Sequence, residues 1–331
     1  MAARPGSGRL PAGGEPPTAG GLRGAEEDVS LAQKLSTVCR FRLFVFLTLS
    51  SAAALYGQSG SDRVLCSSGF IDIVSPDARE ITQARCKAVA AQAMAAWRFD
   101  ANTMRWSNPG GLETKRLTFR LLSVPRMKQE HAGLYGFSKG RNLFVASLAV
   151  LDQPFAQGTL AHEIAHIQAA RAMGTDAWGS LVPRYFVEGH GNALGRAYRD
   201  HLRIAVHSYD IQMARKIVSM SPDQARLLYL DRAYASARDQ QDNVESTGIF
   251  LVEYLRGRCR QQGAGDVIPR ISRVFERIGR GESYESGFQR EFGTSVEQAI
   301  SGIIDFMKRT ESAPAERLRG TLYEEFAVTR R

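Results

Sequence analysis

One pentapeptide constrains this chain more than any other feature: His162-Glu163-Ile164-Ala165-His166. Residues four apart share a helix face, so a helix points both imidazoles the same way. Neutral imidazole is a good Zn2+ ligand, and two of them aimed at one point supply half of a tetrahedral site. Glu163 projects beside that point, where it can take a proton from a bound water. Ile164 and Ile167 can face a core and hold the helix still. With only six His in 331 residues, chance yields roughly 0.007 such patterns per chain. The pattern is therefore a signal, and it asks for a helix buried on one side and open to an ion on the other.

Catalytic zinc takes three protein ligands and keeps a fourth position for water. One continuation of the motif puts Gly three and His six residues after the second His. Ala169 and Ala172 stand there, which excludes it. The candidates for the third ligand are Glu188 and His190, in Pro183-Arg-Tyr-Phe-Val-Glu-Gly-His-Gly-Asn192. They are two residues apart, about 200° around a helix axis, so only one can face the ion. Gly191 and Gly195 read as positions where two helices approach closely.

The rest of the chain is ordinary in composition, 44% hydrophobic and 23% charged, which excludes disordered, collagenous and disulfide-scaffold classes. The net charge of +9 is spread along the chain. No basic block with interleaved aromatics tracks a nucleic-acid backbone, so no nucleic-acid partner is expected. Residues 1–24 hold seven Gly and four Pro without apolar periodicity, and 1–30 read as a disordered tail. Residues 31–57 have a basic flank and an apolar run at 43–56, the form of a signal peptide or signal-anchor. On that reading the protein is exported to a periplasm, cell envelope or medium, with membrane anchoring through 43–56 if the segment is kept. Cys66 and Cys86 either pair, tying the first strand to the first helix, or remain thiols with Cys259.

Patterning predicts strands at 70–74, 117–121 and 142–150. A helix capped by Ser75-Pro76 runs to about Phe99, the motif helix ends near Gly174, and another starts at Pro183. Gly133 to Gly140 reads as a loop. From about residue 200 the pattern is helical, with Val267, Ile268, Ile271, Val274, Phe275 and Ile278 on one face. Thr294-Ser-Val-Glu297 reads as a capping box opening the last helix. Residues 311–331 read as a polar tail.

At this point the chain resembles a family. His-Glu-Ile-Ala-His, a gap of 21 residues and an aromatic-apolar run ending in Glu188-Gly189 are similar to the gluzincin zinc metallopeptidases, in their peptidase MA-like branch. The similarity covers roughly residues 68–308, and the weaker tail pattern includes Phe250-Leu-Val-Glu-Tyr-Leu255 and Phe292-Gly-Thr-Ser295. The resemblance implies an α+β, zincin-like domain over 58–310: a small mixed sheet, the HExxH helix, and a mostly helical part from about 200. It implies zinc on His162, His166 and Glu188, Glu163 as general base, and a peptide or protein substrate. His190 departs from the family pattern. Tyr198, His201, His207 and His190 are the candidate oxyanion donors, and the 142–150 strand is the candidate substrate-pairing edge. Two other readings stand beside this one: a catalytically inactive zinc-binding scaffold of the same fold, and a zinc hydrolase of non-protein amides.

Overall fold

Strands come early and helices late because the apolar period changes near residue 148. The computed structural model describes residues 62–131, 136–204 and 208–326, all within one unit, Ser61–Arg331. The expected signal or anchor segment at 43–56 lies outside the described residues. Among those described, no helix is long and apolar enough to cross a membrane. Export and membrane anchoring therefore have no support in the structure, and both expectations are withdrawn.

The strands are β1 (Arg63–Ser68), β2 (Ile71–Ser75), β3 (Leu117–Leu122), β4 (Gly136–Lys139) and β5 (Leu143–Ser147). They form one mixed sheet in the order β1-β2-β3-β5-β4. β2, β3 and β5 are parallel, and β1 and β4 are antiparallel edges. Parallel neighbours need a long crossover, and helix α1 (Gln83–Met104) supplies it between β2 and β3. Leu117, Phe119 and Leu121 alternate inward, and Phe119 meets Phe144 at 4.3 Å between ring centroids. Cys66 and Cys86 form a disulfide tying β1 to α1, with Cα atoms 6.1 Å apart, while Cys259 is a buried thiol.

Three sequence expectations shift here. α1 is capped by Thr82, whose side chain accepts from the Arg85 N–H, while Ser75 accepts from the Asp77 N–H in a turn before a 3-10 segment. The expected 133–140 loop contains β4. The 142–150 strand ends at Ser147 and lies inside the sheet, so β4 rather than β5 is the exposed edge on that side.

Helix α2 (Ala156–Met173) carries the motif and stops at Gly174, which adopts φ +72°. Helix α3 (Arg184–His201) follows Pro183. Then come α4 (Ser208–Ser219), α5 (Pro222–Leu230), α6 (Gln241–Gln261), α7 (Val267–Gly279), α8 (Tyr284–Phe292) and α9 (Val296–Arg309). The capping box at α9 uses Ser295 and Gln298, one residue later than the sequence pattern indicated. Residues 311–326 do not trail away. Arg317, 3% exposed, donates to the carbonyls of Ile217 and Met220 at the end of α4, and Tyr323 and Phe326 are buried.

Candidate metal centre

α2 and α3 cross where neither has side-chain bulk. A Cβ at Gly195 would lie 2.6 Å from the carbonyl oxygen of Gly158 on α2, so only glycine permits this approach. One turn away, a Cβ at Gly191 would lie 2.9 Å from Cε1 of His166 and 3.1 Å from Cε1 and Nδ1 of His162. The missing side chain of Gly191 is the space into which the two imidazoles fold.

Three ligand atoms converge there. Nε2 of His162 and Nε2 of His166 are 2.8 Å apart. Oε2 of Glu188 lies 3.3 Å from the first and 3.5 Å from the second. Tetrahedral zinc with bonds of about 2.0 Å places its ligand atoms roughly 3.3 Å from one another. The three separations cluster around that value, and the donor set of two imidazoles and one carboxylate suits the ion. Nδ1 of His166 is buried and without a hydrogen-bond partner among the described residues, and the Trp178 ring stacks on this imidazole at 6.0 Å. The residues thus fit a divalent cation in both geometry and chemistry.

Electrostatics point the same way. Burial pushes the His162 pKa down, but the hydrogen bond to Glu188 and the charges of Glu163, Glu188 and Glu245 outweigh it and hold it at about 9. Burial pushes Glu188 up, and its two imidazole partners reverse this and hold it well below the usual carboxylate range. Arg184, one turn earlier on α3, lies 3.4 Å from the other Glu188 oxygen. A carboxylate held ionised inside the protein is what a cation needs.

Glu163 stands beside the three ligands. Its Oε2 accepts from the Ser138 backbone N–H at 2.8 Å and from Ser138 Oγ at 2.7 Å. The acid is thereby tied to edge strand β4. Sequence reading did not find Ser138, because β4 is a four-residue strand between glycines that resemble a loop.

Helix phase brings Glu188, and not His190, beside the two imidazoles. His190 is fully buried on another face of α3, with its ring 5.1 Å from Phe275 and neither nitrogen hydrogen-bonded among the described residues. Burial first, and then the charges of His166 and His162, keep it neutral. Tyr198 and His201 lie ten and thirteen residues past Glu188, roughly 15 and 20 Å along the helix. They pack with Phe99. His207 lies outside the described residues. A different hydroxyl comes near: Tyr209 on α4 donates to Glu245 and lies 3.4 Å from Oδ1 of Asn192, one turn after Glu188. Burial and the Glu245 charge hold the Tyr209 phenol protonated. No family model, curated protein or solved structure matches this chain.

Proposed function

We propose that this protein is a zinc-dependent metallopeptidase with a gluzincin-type site on a zincin-like α+β fold. The observation that carries the reading is the convergence of His162, His166 and Glu188 within 4.8 Å of one another, with Glu163 on the same helix turn as the first ligand. A bound Zn2+ would polarise the scissile carbonyl and lower the pKa of an attacking water to about 7. Glu163 accepts a proton from that water as its oxygen bonds to the carbonyl carbon. The C–N bond then breaks, and Glu163 delivers the proton to the leaving amine. Ser138 holds one Glu163 oxygen through two hydrogen bonds, which fixes the other for this transfer. Tyr209, whose hydroxyl lies 3.4 Å from Asn192 Oδ1 one turn after Glu188, is the reading's candidate for stabilising the oxyanion.

Edge strand β4 supports a peptide substrate. An extended chain added to this edge runs past Ser138 and so past Glu163, and main-chain pairing asks little of its sequence. The test uses the full chain loaded with zinc and a panel of unstructured peptides beside simple amides. The parent should cleave peptides. Glu163→Gln should keep its zinc and lose roughly a hundredfold or more in rate. Peptide cleavage by Glu163→Gln at the parent's rate contradicts the assignment of the base. Zinc bound by both proteins, with no cleavage of any substrate, favours the inactive scaffold, and cleavage of amides alone favours the non-peptide hydrolase.

A further inference from the structure

β4 offers few donors to a chain that would pair with it. It has four residues, and one side of it is taken by β5, from Gly136 opposite Ala146 to Lys139 opposite Leu143. In an antiparallel pair, alternate residues turn N–H and C=O toward the partner strand, and those between turn theirs away. Ser138 is one that turns away. Its N–H runs to Oε2 of Glu163 at 2.8 Å and not to Phe144, its register partner. By the same alternation Gly136 is the other outward residue. Among the described residues no strand lies beyond β4, so these two N–H groups are its edge. One of the two is already occupied by Glu163.

The two Ser138 donors differ in what else could use them. The hydroxyl belongs to a side chain on the sheet face toward α2, and it donates to the same Oε2 at 2.7 Å. The N–H lies in the hydrogen-bonding direction of the sheet, where a paired chain needs it. A chain added to β4 brings a carbonyl oxygen to the place Oε2 now holds. A single N–H makes one well-aligned bond, so the carbonyl and the carboxylate compete for it.

We propose that Ser138 divides its two donors between substrate and base: an incoming peptide carbonyl displaces Glu163 from the Ser138 N–H, and the Ser138 hydroxyl alone then positions the carboxylate. The inference rests on the reading of β4 as the edge that takes a peptide. In the free protein Glu163 closes that edge. With a peptide paired, Oε2 keeps one hydrogen bond in place of two, which leaves it better able to accept a proton while still held in reach. Ser138 is thus a positioning residue that ties docking of the chain to release of the base.

The experiment has a binding arm and a kinetic arm, both on the full chain. Calorimetry measures the affinity of the metal-free protein for a terminally blocked, uncharged, unstructured peptide. Glu163→Ala and Glu163→Leu should bind it about tenfold more tightly than the parent, because no carboxylate has to be displaced. Ser138→Ala keeps both the N–H and Glu163, so its affinity should stay within about threefold of the parent's. In the zinc-loaded proteins Ser138→Ala should lower kcat about tenfold with KM little changed, and Ser138→Thr, which restores the hydroxyl, should recover it. Parental affinity in both Glu163 variants overturns the competition. Tighter binding by Glu163→Ala alone also overturns it, since Leu removes the acceptor without opening space. A raised KM with unchanged kcat in Ser138→Ala overturns the positioning role. The binding arm decides the competition even where the zinc-loaded parent cleaves nothing. A peptide bound by none of the chains overturns the docking edge itself, and this inference with it.

Discussion

α3 uses glycine on two faces for two different ends. On one face Gly189 meets Gly248 of α6, where an added Cβ would lie 2.2 Å from the Gly248 carbonyl oxygen. On another face Gly191 meets the imidazoles of His162 and His166. The first contact is backbone against backbone, so nothing can move aside. The second is backbone against the ends of two side chains that can rotate away. The comparison separates glycines that allow the fold from one that allows the site. Stability should answer to the first and metal binding to the second.

The largest effect is expected at the rigid crossing. Gly248→Ala should destabilise the protein by about 3 kcal/mol or more, because overpacking against backbone cannot relax by rotamer change. Chemical denaturation measures this, and a loss under about 1 kcal/mol would mean the two helices separate easily. Gly191→Ala should cost less stability and weaken Zn2+ binding by about 10–100-fold, since the displaced rings lose their common aim. If its melting temperature falls as far as that of Gly248→Ala while zinc affinity holds, the distinction between the two faces fails.

Proton competition should be smaller and graded. His162 is held at about 9, above its ordinary value, and a ligand must be deprotonated. Zn2+ affinity should therefore rise by about tenfold per pH unit between pH 7 and 9 and flatten above that, in chelator titrations at fixed ionic strength. The metal-free protein behaves in the opposite sense. The raised His162 contributes stability that is complete below about 6.5 and lost as pH rises through 9. The depressed Glu188 contributes stability present above about 4.5 and lost on acidification, so their joint contribution is greatest near pH 4.5–6.5. Affinity that does not change with pH would remove the proton from His162. The smallest effect belongs to His190→Leu, which replaces an unpartnered buried imidazole with an apolar side chain. Stability should change by less than about 1 kcal/mol or rise, with zinc affinity unchanged.

Much of the site was legible before the fold. The spacing of His162 and His166 required one helix face, and Pro183, Gly174 and Gly293 mark element ends where the structure has them. Helix spacing alone left the third candidate ligand between Glu188 and His190, and the resemblance implied Glu188; a signal for which of them faces the two imidazoles was also present in the sequence. Gly191 and Gly195 stand three and seven residues after Glu188, on its face, and a bare helix face is the one that meets another helix. Other features were not legible for physical reasons. β4 is too short to alternate visibly, and its identity comes from pairing with β5. Ser75-Pro76 and Thr82 both offer caps, and the choice depends on where the chain leaves the sheet. Asp100 sits in an Ala-rich helix where one acid reads as surface, and only three-dimensional packing reveals that it is buried. Residues 311–326 are polar in sequence, but Arg317 is held by helix-end carbonyls that no local pattern announces.

The central claim is that two helices of this chain bring His162, His166 and Glu188 together as one metal centre. Its most direct test is the zinc content of the purified full chain, by mass spectrometry after reconstitution, beside Glu188→Ala and His190→Leu. The account predicts one zinc per parent chain, kept in His190→Leu and lost in Glu188→Ala. Zinc retained in Glu188→Ala, or absent from the parent, would contradict it.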